Sequence, residues 1–559
     1  MSDAPVPGRI VDRLCANLHA AGIPFSEGDV AGILEKGFLS SVEEFEALAN
    51  DASTAAAPDY LGAWGDDAAP DLPGANLLAF PPPSDGATEL DRASIRRISR
   101  LLERREVSPV ELTRAALERI AEGNPAMNAF QVVLEEEAFK AARVAERQIA
   151  DGDYSGGLHG VPVGVKDLLD LAGTPTTAGS AASDPRIVRH DSSAVDRLRR
   201  AGAIIVGKTT LAELAYSPGS NNARYGPTRN PWNSAHDTGG SSSGSGAAVA
   251  AGMVYAALGS DTGGSVRIPA AQCGIVGLKP TYGRISMHGA TPLAWSLDHL
   301  GPMTRSVADS ALLLEVLAGR DPRDPRTRLG TAYRVSAELE AGARGVRIGV
   351  VRNDGAGTPP GTAEVLEAWH KAIEALERQG AEIVELDLSE LSALRVVNSA
   401  ILVLEAAAFH EKRLRERLHL IGEFARHRLL YAYAFGPGAF VRAQQIRAVL
   451  RQQVRDAIEE IDLLCTPTMP APAPLLGTPS STRYTAPFNA LGWPAVTVPV
   501  GLAPGNLPLG VQLIGPPWTE ARLLQVARVV ELEGPWRHAQ QAIRARSKAT
   551  GETAVTLLE

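Results

Sequence analysis

The sequence predicts an α/β protein: a largely buried β-sheet covered by helices, with a small helical appendage at its N-terminus. Strand-like runs at 161–165, 203–206, 346–351 and 495–500 alternate with helix-like segments near 192–201, 307–318, 362–379, 440–461 and 519–532. Apolar residues make up 45% and charged residues 21% of the 559 positions, a globular balance that excludes a mainly disordered chain. No repeat recurs at 20–50 residue spacing.

The appendage is expected over residues 1–60. Ile10, Leu14 and Leu18 recur at helical spacing, and Gly22 is placed to stop that helix. Ser26 can cap a segment containing Val30, Ile33 and Leu34, and Ser41 with Glu44 forms a capping box before Phe45 and Leu48. These helices are too short to hold a core alone, so they are expected to pack on the main body or on a second subunit, the latter giving a homodimer. Residues 61–90 read as a Pro/Ala/Gly-rich linker with a triple proline at 81–83. The main domain follows over 91–540, and 541–559 form a C-terminal tail. Within the main domain, Ser108-Pro109-Val110-Glu111 supplies a cap, a first-turn proline and a box glutamate. The arginine-rich stretch 399–453 reads as helices with a solvated face.

Charge and cysteine usage narrow the function classes. Lysine and arginine number 55 against 64 aspartates and glutamates, net −9, and no long basic stripe occurs. Nucleic-acid binding is therefore not expected. Cys15, Cys273 and Cys465 lie far apart without a CxxC, which argues against a zinc knuckle or a disulfide framework and fits a reducing compartment. The N-terminus lacks a basic segment followed by an apolar one. The longest smooth apolar run, 246–259, is too short to span a bilayer. A cytoplasmic protein with no membrane partner is the expectation.

Three motif matches compete. Residues 202–209 satisfy GxxxxGK[ST], but Ala203, Ile204, Ile205 and Val206 between the glycines are strand residues that form no anion nest, so a buried strand is expected. Gly240-Ser241-Ser242-Ser243-Gly244 satisfies GxSxG, which would make Ser242 the nucleophile of a strand-to-helix elbow. The polar, turn-like residues before it do not form the apolar strand that elbow needs, and His288, His299 and His410 downstream sit in no distinctive context. The third match joins the whole stretch 237–281, DTGGSSSGSGAAVAAGMVYAALGSDTGGSVRIPAAQCGIVGLKPT, in which two glycine loops flank a small-residue helix and a strand. A flexible linker would not carry a 14-residue apolar segment between such loops. Asp261 and Arg267, flanking Ser265, can pair and brace the second loop.

This long pattern resembles the amidase signature family. Gly160-Val161-Pro162-Val163-Gly164-Val165-Lys166-Asp167 looks like that family's lysine motif. Further family-like pieces start at Val206, Asn230, Gly277, Asp298 and Pro487. The resemblance spans about residues 90–535 and implies a large mixed β-sheet core covered by helices. It also implies Ser265 as nucleophile, Ser241 as bridging serine after a cis peptide bond, and Lys166 as catalytic lysine. The backbone N–H groups of Thr262, Gly263, Gly264 and Ser265 would form the oxyanion hole, with Ser242, Asp261 and Arg267 in support. Ala215 and Tyr216, and Phe488 near the C-terminal motif, are weaker candidates for the acyl pocket.

The residue types suit this chemistry. A serine hydroxyl needs a base, and Lys166 can be one only when neutral. Its ordinary pKa is about 10.4, so a dry strand such as the one its flanking valines suggest must depress it. Asp167 would oppose that shift, but on a strand it should point to the other face. No metal or other cofactor is implied: the 11 histidines show no HExxH spacing. Amidotransferase subunits of the family usually read S-I-R-Q-P after the nucleophile, whereas this chain has Ser265-Val266-Arg267-Ile268-Pro269. The expectation is therefore a stand-alone hydrolase of carboxylic amides, with water and a small-molecule amide as its reactants. Aryl acylamidase, carbamate hydrolase or esterase activity on the same residues is the alternative, and a non-catalytic binding or scaffold role, or an ATP-dependent enzyme resting on 202–209, is the rival of a different class.

Overall fold

A computed structural model describes residues 6–50, 90, 93–334, 337–533 and 536. The tail expected at 541–559, and all of the expected linker except Leu90, lie outside the described residues.

Thirteen strands are present among the described residues. β1 (Phe130–Val133), β2 (Pro162–Lys166), β3 (Ile204–Thr209), β4 (Arg229–Asn230) and β5 (Asn233–Asp237) come first. β6 (Ala256–Asp261), β7 (Val276–Lys279), β8 (His299–Thr304) and β9 (Arg347–Asn353) follow. β10 (Glu382–Asp387), β11 (Leu463–Pro467), β12 (Ala495–Ala503) and β13 (Leu507–Ile514) complete the set. Eleven of them form one sheet in the order β1-β3-β2-β6-β8-β7-β12-β13-β11-β9-β10, while β4 and β5 make a separate ribbon. The sheet is mixed: β3, β2 and β6 run parallel to one another, as do β11, β9 and β10. The strands between β6 and β11 pair antiparallel. This is the large mixed sheet that the family resemblance implied.

Every residue of β2, β3, β6, β7, β8 and β11 is buried, which is why these strands read as continuous apolar or small-residue runs. The segment that matches a phosphate loop contains β3, with Lys208 inside the strand. A paired strand leaves no open turn to hold a phosphate.

The N-terminal residues form α1 (Val6–Ala20), α2 (Glu27–Glu35) and α3 (Ser40–Asn50). Ile10, Leu14 and Leu18 are buried, and Gly22 turns the chain with φ +66°. Ser26 caps α2 in a reciprocal box with Asp29. The box expected at Ser41 does not form. Gly37, at φ +66°, turns the chain into α3 early, so Val42 and Glu43 already donate to Leu39 O and Ser41 lies inside the first turn. The three helices share one apolar cluster with the main body. Polar ties fix them there: Asn17 Nδ2 donates to Tyr433 O at 2.7 Å, and Arg442 Nη2 to Ala49 O at 2.9 Å.

The helix Glu390–Arg417 is long and apolar enough, by length and composition, to cross a membrane. In the structure 56% of its most apolar stretch is buried. Leu394, Val397, Ile401, Ala406 and Leu414 lie on that inward face. Arg447, in the helix Ala439–Ala457, is buried too and donates through Nε to Ala490 O at 2.5 Å. The expectation of a merely solvated face over 399–453 is thus corrected: arginines there also serve buried carbonyls, which lack water as an alternative partner.

Candidate active site

The carboxyl ends of parallel strands are where open α/β sheets place ligands, and two such ends meet here. Lys166 is the last residue of β2 and Asp261 the last of the neighbouring β6. Between them stands the loop that opens the helix Ser243–Ala250. Close approach needs small residues: a Cβ on Gly259 in β6 would stand 2.8 Å from Ser242 Oγ. The peptide bond between Gly240 and Ser241 is cis, as the family resemblance implied.

Lys166 Nζ lies among three hydroxyls: Ser241 Oγ at 2.7 Å, Ser260 Oγ at 2.8 Å and Ser242 Oγ at 2.9 Å. Lys166, Ser241 and Ser242 are fully buried, whereas Ser265 keeps 8% exposure. Burial drives the Lys166 ammonium well below its ordinary pKa, against the opposing pull of the Asp261 and Asp298 carboxylates. Asp167 faces elsewhere, as strand alternation requires. It pairs with Lys208 at 2.5 Å and accepts from the Thr177 backbone and hydroxyl.

Hydrogen-bond counting assigns directions around Nζ. The Ser242 hydroxyl donates to Ser260 O at 3.1 Å, so its oxygen can only accept from Lys166. A neutral amine has two N–H groups and one lone pair. If the Ser260 hydroxyl accepts the second N–H group, the lone pair faces the Ser241 hydroxyl.

The loop after β6 is braced by Asp261. Arg267 clasps that carboxylate through Nε at 3.0 Å and Nη2 at 2.9 Å, and Asn489 Nδ2 donates to it at 2.9 Å. Gln512 and Asn489 accept from the same guanidinium. Burial pushes Asp261 up, but Arg267, Lys279 and the Asn489 amide outweigh it and hold the carboxyl well below the usual range. The pairing of Asp261 with Arg267 expected from sequence is therefore present and fully buried.

One expected oxyanion donor is engaged. Gly264 N–H donates to Asp261 Oδ1 at 2.8 Å and is not free for a substrate oxygen. Among the described residues, the N–H groups of Thr262, Gly263 and Ser265 have no such partner. Their loop is clamped at its carbonyls, where Asn398 Nδ2 donates to Thr262 O at 3.3 Å and Thr485 Oγ1 to Gly263 O at 2.6 Å. The Thr262 hydroxyl donates to Asp298 Oδ1 at 2.6 Å. Ser242 N–H donates to Ser265 O at 3.2 Å and joins the two loops through the backbone. Among the described residues, the Ser241 and Ser265 hydroxyls make no direct hydrogen bond.

Other candidates fall outside this cluster. The Tyr216 hydroxyl donates to Arg428 O at 3.3 Å, and the Arg428 guanidinium lies 4.3 Å from its ring centroid. Tyr216 therefore packs on the helix Glu423–Leu430. Ala215 is buried with φ +59°, and Phe488 is fully buried. Ser260 was missed, although alternation along β6 sends it and Asp261 to opposite faces, one toward Lys166 and the other toward Arg267. Asn398 and Thr485 carry no sequence signal, because their contacts lie 136 and 222 positions away.

A buried lysine among serines, beside a glycine loop braced by an ion pair on a mixed α/β sheet, defines an amidase-signature hydrolase. The chain belongs to the Amidase family, whose profile matches residues 111–524. It is similar to a glutamyl-tRNA(Gln) amidotransferase subunit of Trichlorobacter lovleyi, 36% identical over 490 residues that take in 81% of this chain and all of that protein. Among solved structures it is similar to an amidase at 35% identity and TM-score 0.70, covering 80% of this chain and 100% of the other. A peptide amidase bound to chymostatin matches at 32% identity and TM-score 0.68, covering 78% and 97%.

Proposed function

We propose that the chain hydrolyses the C–N bond of carboxylic amides through an acyl-enzyme on Ser265. The observation that carries this reading is Lys166 Nζ, fully buried and within 2.9 Å of three serine hydroxyls. Its lone pair takes the Ser241 proton as Ser241 takes that of Ser265, and Ser265 Oγ attacks the carbonyl carbon. The working complex needs Ser265 Oγ within hydrogen-bond reach of Ser241 Oγ, a contact that tightens when substrate binds. The N–H groups of Thr262, Gly263 and Ser265 receive the developing oxyanion. The lysine proton returns through Ser241 to the leaving nitrogen, the C–N bond breaks, and water repeats the sequence on the acyl-enzyme. Aryl amides, carbamates and esters would use the same groups and differ in the acyl and leaving parts.

A stand-alone hydrolase is favoured by Ile268. It stands where amidotransferase subunits of the family usually carry glutamine, and it is 1% exposed. It packs beside Gly239 and Gly264, so this position offers no polar group to a substrate. A second reading is supported by the similarity to a protein named as a subunit: the chain would supply the amidase step within a larger assembly. The test is release of ammonia or amine from a panel of amides by the purified chain alone, with Ser265→Ala as control. Turnover that depends on Ser265 supports the stand-alone reading. Turnover that appears only with added cell extract supports the subunit reading, and none in either case overturns both.

A further inference from the structure

Glu213 is a buried carboxylate that the proposed chemistry does not use. It lies one residue from Ala212, whose N–H donates to Ser241 O at 3.1 Å. Its two oxygens accept from the Ser180 hydroxyl at 2.7 Å and from Gly422 N–H at 3.0 Å. Leu214 and Ala215, directly after it, hold φ of +55° and +59°. Left-handed backbone at two consecutive side-chain-bearing residues persists only where the surroundings impose it. Gly422 immediately precedes the helix Glu423–Leu430. On the first turn of that helix, Arg426 Nε donates to Asp29 Oδ1 of α2 at 2.7 Å. α2 also brings Gly32 against the His427 ring, where a side chain would collide. A continuous set of contacts thus runs from α2 through Arg426 and Gly422 to Glu213, and from there along the chain to Ser241.

We propose that Glu213 is a positioning residue for Ser241, and that the N-terminal helices act on the site through it by holding the Glu423–Leu430 helix with Asp29. A carboxylate with two donors fixes the 212–216 turn against that helix. The turn in turn fixes the Ser241 carbonyl and the direction of its hydroxyl toward Lys166. About a fifth of this chain lies outside the match to the amidotransferase subunit, whose own length is fully covered. The family profile begins at residue 111, after the three N-terminal helices, and Asp29 ties α2 to the Glu423–Leu430 helix by a specific polar contact.

The inference rests on the hydrolase reading. The test measures the rate at which a fluorophosphonate labels Ser265, together with the unfolding midpoint, for the full-length wild type, Glu213→Gln, Asp29→Asn and the double variant. Glu213→Gln keeps the length but removes the charge and one acceptor, so that either the Gly422 bond is lost or the Ser180 hydroxyl must turn to accept from the amide. It is expected to slow labelling about tenfold or more, and Asp29→Asn to slow it in the same direction by less. If the two act in line, the double variant matches Glu213→Gln rather than the product of both effects. A wild-type labelling rate in Glu213→Gln, or single effects that multiply fully, overturns the inference. Should Glu213→Gln fail to fold, a wild-type rate in Asp29→Asn overturns the link to the N-terminal helices, and a slowed rate at an unchanged midpoint supports it. A wild type that is not labelled at Ser265 overturns the hydrolase reading and this inference with it.

Discussion

Asp261 and Gly264 are joined by a 2.8 Å hydrogen bond in which the Gly264 N–H donates to the carboxylate that Arg267 clasps. The ion pair therefore does more than bridge a strand to a helix: it sets the backbone path of the loop that presents Ser265. Arg267→Met should leave a buried, uncompensated carboxylate and cost about 3–5 kcal/mol. The expected result in urea unfolding is an unfolding free energy lowered by that amount, with the midpoint lowered in proportion, accompanied by lost turnover. An unchanged midpoint would show that the pair is not needed to hold the loop.

Acid stability follows from the same carboxylate. The folded pKa of Asp261 is depressed, so its contribution is complete above the unfolded value of about 3.9 and is lost as pH falls below it toward the folded value. In Arg267→Gln the depressing charge is gone. The acid-unfolding midpoint should move to higher pH, read by circular dichroism between pH 2 and pH 6. A midpoint that stays in place would mean another carboxylate governs acid unfolding.

Ser242 and Ser241 sit next to each other but differ in role. Ser242 accepts from Lys166 and from Ser260 N–H and donates to Ser260 O. Ser242→Ala should leave buried partners unsatisfied and cost about 1–3 kcal/mol of stability. Ser241→Ala should cost less stability and more rate, because its hydroxyl has Lys166 as its hydrogen-bond partner among the described residues. Parallel measurement of kcat and of thermal unfolding separates the two. Equal losses of rate with equal losses of stability would contradict this division.

The activity should rise with pH along the limb set by Lys166. Burial lowers the pKa of this lysine, and in the proposed mechanism protonation removes the lone pair that accepts the serine proton. As pH falls through the lowered pKa, kcat/KM should fall. Lys166→Ala should lose most of its rate together with that limb, and Lys166→Arg should not restore it, since guanidinium stays protonated. A wild-type profile in Lys166→Ala would refute Lys166 as base.

Much of this was legible in the sequence. The alternating runs gave the sheet and its flanking helices because buried parallel strands and their crossover helices differ in period and length. The Ser108 box and the Ser26 cap were readable because caps are local. The Ser41 box failed because Gly37 redirected the chain one turn earlier, a conformational choice that pattern alone does not fix. At the site, Lys166, Ser241, Ser265 and the Asp261–Arg267 pair came from motifs. The use of Gly264 N–H by Asp261 was hidden, because which donors a carboxylate takes depends on the loop's path. The contact of Tyr216 with Arg428 was hidden for a related reason: position in sequence says nothing about which way a phenol turns. Asn398 and Thr485 were invisible because only the folded sheet brings them to Thr262 and Gly263.

The most direct test of the account is to trap the covalent intermediate. The purified protein is mixed with excess amide substrate, quenched in acid during turnover and digested, and its peptides are weighed. The predicted result is the acyl mass on the peptide containing Ser265, at the Ser265 position, and its absence from Ser265→Ala with turnover reduced about ten-thousandfold. An acyl group on Ser242, or turnover retained in Ser265→Ala, would contradict it.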